Sequence, residues 1–105
     1  MRSEEEMKEL LKEMKENLLG KEISLLDLDN ESETILNTSE SLYENFSETI
    51  KNKSFAYILG YSNELGEQAI VVEFDIIGEY YEEKLLDDED YKYAILVKVT
   101  NIFEL

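Results

Sequence analysis

The sequence predicts an α+β fold in which an antiparallel sheet of four to five strands is accompanied by two helices. Apolar residues recur at helical spacing in residues 3–19 and again in 39–51, and from residue 54 onward they alternate with a period of two. Strands that follow helices along a chain favour an antiparallel sheet with the helices on one face or end. With 105 residues, of which 43% are hydrophobic, we expect a single domain spanning 1–105.

The first helix is predicted over residues 3–19. Ser3 and Glu6 match the capping box that begins a helix, and Gly20 is a common residue just after a helix end. The apolar residues of this stretch share one stripe, which predicts packing on the sheet: Met7, Leu10, Leu11, Met14, Leu18 and Leu19.

The segment between the two helices is predicted to be extended. Residues 22–28 form a short apolar run that favours a strand, and residues 33–36 are interpreted as a second short extended piece or a continuation after a bend. The second helix is predicted over 39–51, because Leu42, Phe46 and Ile50 repeat every four residues. Its glutamates repeat at the same spacing on a different face.

The last half of the chain is predicted to be strands. We expect strands at 54–62 and 67–78 with a hairpin loop at 63–66, an acidic loop at 79–90, and a final strand at 91–103. In the long strand the predicted inward face carries Ile70, Val72, Phe74 and Ile76. In the final strand it carries Tyr93, Ile95, Val97, Val99 and Phe103.

Composition excludes several classes of function. The net charge of −16 repels nucleic acids and anionic membranes, and it favours a basic protein partner. The chain has no Cys and no His, so thiol and histidine catalysis are excluded, and we expect no enzymatic activity, no cofactor and no metal site. No apolar run approaches the length of about 20 residues that spans a membrane, and we expect a cytoplasmic protein.

The most distinctive stretch is acidic and runs from Asp27 to Ile50. No positive charge occurs between Lys21 and Lys51, and hydroxyl and amide side chains separate the carboxylates. Spaced negative charges among neutral hydrogen-bonding groups imitate a nucleic-acid backbone. The sequence therefore predicts a partner-binding surface formed by acids of this stretch: Asp29, Glu31, Glu33, Glu40, Glu44 and Glu48.

Residues 33–36 (Glu-Thr-Ile-Leu), followed by Glu40 and Glu44, resemble the Glu-Ser-Ile segment and acidic helix of phage uracil-DNA glycosylase inhibitors. Residues 60–61 with 69–72, and 90–92 with 94–97, are similar to later strands of that family. The resemblance implies a DNA-mimicking strand with acidic neighbours on a five-stranded sheet, with Glu33 as the leading phosphate mimic and Glu44 as a second contact. It places Thr34 and Ile35 at the Ser and Ile positions.

The same resemblance implies an apolar pocket, lined by Leu42, Phe46 and Ile70, that receives a leucine of the target enzyme. Size and composition are also similar to those of small phage anti-CRISPR proteins. We therefore expect a monomer or small homo-oligomer, encoded by a phage, that blocks the nucleic-acid groove of a glycosylase, a Cas effector or a restriction enzyme. The alternatives are an immunity protein or antitoxin that neutralises a basic nuclease toxin, and an acidic domain without a specific partner.

Overall fold

The computed structural model describes residues 3–38, 46–62, 66–79 and 95–105, with the side chains of 46, 47, 61, 62, 67 and 79 left out of the description. Along the chain these residues form α1 (Glu4–Leu18), β1 (Glu22–Ser24), α2 (Leu25–Leu36), α3 (Phe46–Asn52), β2 (Ser54–Ser62), β3 (Gly66–Glu79) and β4 (Ile95–Glu104). The strands form one antiparallel sheet in the order β1-β4-β3-β2. The predicted α+β fold is confirmed.

The first helix forms where the sequence predicts it. The Ser3 hydroxyl accepts a hydrogen bond from the Glu6 backbone N–H at 3.2 Å, which satisfies one of the free donors at the start of α1. Met7, Met14 and Leu18 are buried against the sheet, whereas Leu19 is 47% exposed. Gly20 adopts a φ of 80° and donates its N–H to the Val99 carbonyl at 2.8 Å, so the chain turns directly into the sheet.

The predicted extended conformation of 25–28 and 33–36 is wrong. Only Glu22–Ser24 forms a strand, and Leu25–Leu36 is helical. The Ser24 hydroxyl caps this helix by accepting from the Asp27 N–H at 3.1 Å. Leu25, Leu28 and Leu36 all point to the core, a spacing that suits a helix better than a strand. The helix ends at Asn37, which has a φ of 52°.

The second predicted helix is confirmed where it is described. α3 covers Phe46–Asn52, and the part predicted over 39–45 lies outside the described residues. Within α3, Thr49 is buried and Ile50 packs against the core. In the part of the chain that the structure describes, no helix is long and apolar enough to cross a membrane.

The predicted strands at 54–62 and 67–78 are confirmed, and they pair with each other from Ser54↔Glu73 to Ser62↔Gly66. Residues 63–65 of the predicted hairpin loop and 80–94 of the predicted acidic loop and final strand lie outside the described residues. The core lies between one face of the sheet and helices α1 and α2. Its buried sheet residues are Ile23, Phe55, Tyr57, Ile70, Val72, Phe74, Val97, Val99 and Ile102.

Two residues predicted to face inward do so only in part or not at all, namely Phe103 of β4 and Ile76 of β3. The register shifts after Glu73↔Asn101 to Phe74↔Val99, which leaves Thr100 as an extra residue and turns Ile102 inward in place of Phe103. Ile76 was predicted to share the buried face with Phe74, but it is 39% exposed because β3 extends beyond the first paired residue of β2.

Candidate functional site

The predicted partner-binding residues of α2 do not form one surface. With about 3.6 residues per turn, residues two apart point to opposite sides of a helix. Glu31 and Glu33 therefore lie on opposite sides of α2, and Asp29 points to the core. The acidic strand implied by the resemblance is replaced here by a helix, which disperses the carboxylates.

Asp29 is a buried residue, and its predicted place on the contact surface is wrong. Asp29 is only 2% exposed, and the Tyr57 hydroxyl donates a hydrogen bond to its Oδ1 at 2.6 Å. Burial of a carboxylate is tolerated when strong hydrogen bonds satisfy it. Asp29 thus fixes α2 to the sheet.

Tyr57 is the hydrogen-bond partner of Asp29, and the sequence analysis did not predict this pair. It is itself 2% exposed, and burial, followed by the charge of Asp29 and the hydrogen bond to it, raises the pKa of its hydroxyl well above the ordinary value. The hydroxyl therefore remains a proton donor to Asp29. One signal was present: a tyrosine inside an apolar strand needs a polar partner for its hydroxyl.

Glu31 is paired with a lysine that is distant in sequence from the acidic stretch. Lys21 Nζ lies 3.1 Å from Oε1 and 3.0 Å from Oε2 of Glu31, and both side chains are 43% exposed. The pair forms because β1 has only three residues, so the chain turns from Lys21 into α2 almost at once. The negative charge at Glu31 is partly neutralised.

Glu33 lies at the edge of the buried polar pair. Partial burial raises the pKa of its carboxyl, and the negative charge of Asp29 raises it further. Its backbone carbonyl accepts from the N–H groups of Asn37 and Thr38, which closes the end of α2. Glu33 is half-buried, so it presents less charge to a partner than an exposed acid does.

Three predicted site residues do come together, in a groove between α2 and the end of α1. The groove has a volume of about 360 Å³ and is lined by Asn17, Lys21, Asn30, Glu31, Thr34 and Ile35. Thr34 Oγ1 donates to the Asn30 carbonyl at 2.9 Å, so its methyl group is held in a fixed direction. The groove combines an apolar side chain with amides and an ion pair.

The remaining predicted residues are only partly described. Glu48 is exposed in the first turn of α3, and Glu40 and Glu44 lie outside the described residues. The apolar pocket implied by the resemblance is not formed by Ile70, because this side chain is fully buried in the core. Leu42 and the side chain of Phe46 lie outside the description.

Among the described residues, several exposed carboxylates without an ion pair lie on α1. On α1, Glu5, Glu9 and Glu13 follow one another at i, i+4 and i+8 on the solvent side, and none has an ion pair among the described residues. We call these three residues the α1 ridge. The neighbouring Glu16 is 3.8 Å from Lys12 Nζ.

Three acids of the sheet lie beside a cationic or amide side chain of a neighbouring strand. Lys98 of β4 lies opposite Glu22 of β1 on one side and Asp75 of β3 on the other. The Glu73 carboxylate accepts a hydrogen bond from Asn101 Nδ2 at 3.0 Å. Among the described residues, Lys98 and Asn101 therefore offset part of the negative charge of Glu22, Glu73 and Asp75.

Comparison of the chain with family models, with curated proteins and with solved structures finds no match. Within the described ranges, no group of three or more His, Cys, Asp or Glu side chains is arranged to hold a metal ion. A functional proposal for this chain therefore depends on its sequence and geometry.

Proposed function

We propose that this chain is an acidic inhibitor that binds a basic nucleic-acid-binding protein and occupies the groove where that protein binds DNA. The observation that carries the proposal is the row of unpaired, exposed carboxylates on the helix layer of a chain with a net charge of −16. Opposite net charge steers association and raises its rate. The protein acts by occupancy, one copy for each target molecule.

The α1 ridge is the proposed phosphate-mimicking surface. Its carboxylates are spaced by about 6 Å along the helix axis, since each residue rises ~1.5 Å. One strand of DNA carries a charge about every 3.4 Å, so the ridge has roughly half that linear charge density. Helix α1 packs on the sheet through Met7, Met14 and Leu18, which fixes the ridge before binding and reduces the entropy cost of association.

The outward side of α2 is proposed as the second part of the contact. Asp27 is exposed there, and the groove next to it presents Glu31, Thr34 and Ile35. Carboxylates at the rim would meet lysine and arginine side chains of the target, while the groove accepts an uncharged group. A glycosylase, a Cas effector and a restriction enzyme are the target classes to test, with a nuclease toxin as the target if the chain is an immunity protein.

The experiment compares two triple variants of equal charge change. Glu5→Gln, Glu9→Gln and Glu13→Gln remove the α1 ridge, and the matched control removes three acids of the sheet: Glu22→Gln, Glu73→Gln and Glu104→Gln. Each protein is titrated into purified uracil-DNA glycosylase, a purified Cas effector and a basic nuclease, with inhibition of each enzyme as the readout. All variants are checked for unchanged thermal unfolding.

We expect the ridge variant to lose about tenfold or more in inhibitory potency against the true target, since each tenfold step corresponds to ~1.4 kcal/mol. The sheet control should lose less, because Glu22 lies opposite Lys98 and Glu73 accepts a hydrogen bond from Asn101. Equal losses in the two variants would show that only net charge matters. Absence of inhibition of every basic enzyme by the wild-type protein would refute the proposed function.

A further inference from the structure

The β3–β4 ribbon extends beyond the pairing of β2 with β3. The first paired residue of β2 is Ser54, opposite Glu73, whereas β3 continues to Glu79, which still pairs with Ile95 of β4. Among the described residues, no strand pairs with Asp75–Glu79 on the β2 side. Unpaired strand edges are sites at which another strand adds.

The direction of the backbone groups at this edge follows from one hydrogen bond. The Phe74 N–H points toward β2, since it donates to the Lys53 carbonyl at 3.0 Å. Backbone groups of successive residues in an antiparallel sheet point to alternate sides. The N–H and C=O of Ile76 therefore point to the same side as those of Phe74, where no described strand follows.

The side chains at this edge are unusually apolar for an exposed position. Ile76 is 39% exposed and Ile77 is 41% exposed, although the two lie on consecutive residues. The register shift between Ile76 and Gly78 makes Ile77 an extra residue on β3. The neighbouring Asp75 is exposed and acidic. The edge thus joins free hydrogen-bonding groups to two apolar side chains and a negative charge.

We propose that residues 75–79 bind an extended segment of another protein by strand addition, and that this segment alternates cationic and apolar side chains. Main-chain hydrogen bonds to Ile76 would provide affinity, and the apolar residues would cover Ile76 and Ile77. The net charge of −16 favours a cationic segment, and the exposed Asp75, which lies opposite Lys98, adds a carboxylate to this surface. This surface is separate from the α1 ridge, and the inference stands without the proposed function.

A second copy of this chain is the less suitable occupant. Two copies repel each other through their net charges of −16, and a strip of five residues is too short for the ~1,200 Å² that a stable interface buries.

In the test, a capped synthetic peptide of five alternating lysine and valine residues is added to the ¹⁵N-labelled full chain. Binding is monitored by NMR. Binding should slow hydrogen exchange of the Ile76 amide and shift the Ile76 and Ile77 signals. A control peptide of the same charge carries N-methylated valines and therefore lacks the N–H groups that would pair with the strand. Its affinity should be lower by about tenfold or more. Equal binding of both peptides would mean attraction by charge alone and would overturn the inference.

Two variants locate the peptide on the chain. Ile76→Pro removes the N–H that points away from β4, a position where proline is tolerated, and it should weaken binding of the unmethylated peptide because the hydrogen bond from Ile76 to a peptide carbonyl is lost. Ile77→Lys should also weaken binding, and Leu105→Lys is its control because Leu105 is 71% exposed at a distant position. If Leu105→Lys and Ile77→Lys weaken binding equally, the site is wrong. Protection of Ile76 that rises with protein concentration in the absence of peptide would assign the edge to a second copy and refute the proposed occupant.

Discussion

Replacing Tyr57 by Phe should destabilise the protein strongly, although the change removes one oxygen atom. The Tyr57 hydroxyl donates to the buried Asp29 carboxylate at 2.6 Å, and both residues are 2% exposed. A hydrogen bond to a charged group contributes about 1.5–3 kcal/mol, and water does not readily replace a donor at a buried site. We therefore expect Tyr57→Phe to lower the free energy of unfolding by roughly 2 kcal/mol.

The assay is urea unfolding followed by circular dichroism, with thermal unfolding as a second readout. For a chain of this size a loss of 2 kcal/mol corresponds to a decrease in Tm of about 10 °C. A native stability of about 5–15 kcal/mol leaves the variant folded, so the free energy can be measured. Glu9→Gln is the surface control, and it should change stability by less than about 0.5 kcal/mol.

A double-mutant cycle shows whether the loss comes from the pair. Asp29→Asn keeps the size of the side chain but removes its charge, and the cost of Tyr57→Phe should be smaller in that background. A Tyr57→Phe variant whose stability is within about 0.5 kcal/mol of the wild type would refute the reasoning, since the buried carboxylate would then not depend on this donor.

Three further predictions concern the residues around α2. Because burial raises the Glu33 pKa above the ordinary value of 4.5, the folded state holds more protons just above that pH, and stability from this group decreases as pH rises through the window. Urea unfolding at several pH values should therefore show that the free energy of unfolding of Glu33→Gln increases relative to that of the wild type as pH rises. A difference between the two free energies that does not change with pH would contradict this. Lys21→Met breaks the half-exposed pair with Glu31 and should cost only about 0.2–1 kcal/mol, so a larger loss would show a role beyond the pair. Gly20→Ala should cost about 1–2 kcal/mol because φ is 80°, whereas Gly78→Ala meets only Leu96 Cβ at 4.0 Å and should be tolerated; similar denaturation curves for the two would exclude the strain at Gly20.

Long periodic elements were predictable from the sequence because their signals are local. In α1 the cap at Ser3 and the buried stripe agree, and in β2 and β3 the alternation of apolar residues continues for many positions. Helix α2 is not predicted by the sequence, because residues 22–28 and 33–36 appear as two separate short runs. The Ser24 cap and the spacing of Leu25, Leu28 and Leu36 show that one helix unites most of them.

The candidate site was less predictable because its determinants are distant in sequence. The burial of Asp29 depends on Tyr57, which is 28 residues away, and the pairing of Glu31 depends on Lys21 on the other side of β1. The inward turn of Ile102 depends on a register shift between two strands. Patterns within one segment do not contain this information. The charge of the chain was readable from the sequence, but its division between the helix layer and the sheet required the fold.

If this protein and DNA compete for one groove of the target enzyme, the most direct measurement is the fluorescence anisotropy of a labelled DNA duplex bound to that enzyme. Added protein should displace the duplex, the protein concentration needed should rise with the concentration of DNA, and both effects should weaken as salt screens the charges, since the screening length falls to about 3 Å at 1 M. An inhibited enzyme that still holds the duplex with unchanged anisotropy would contradict the claim.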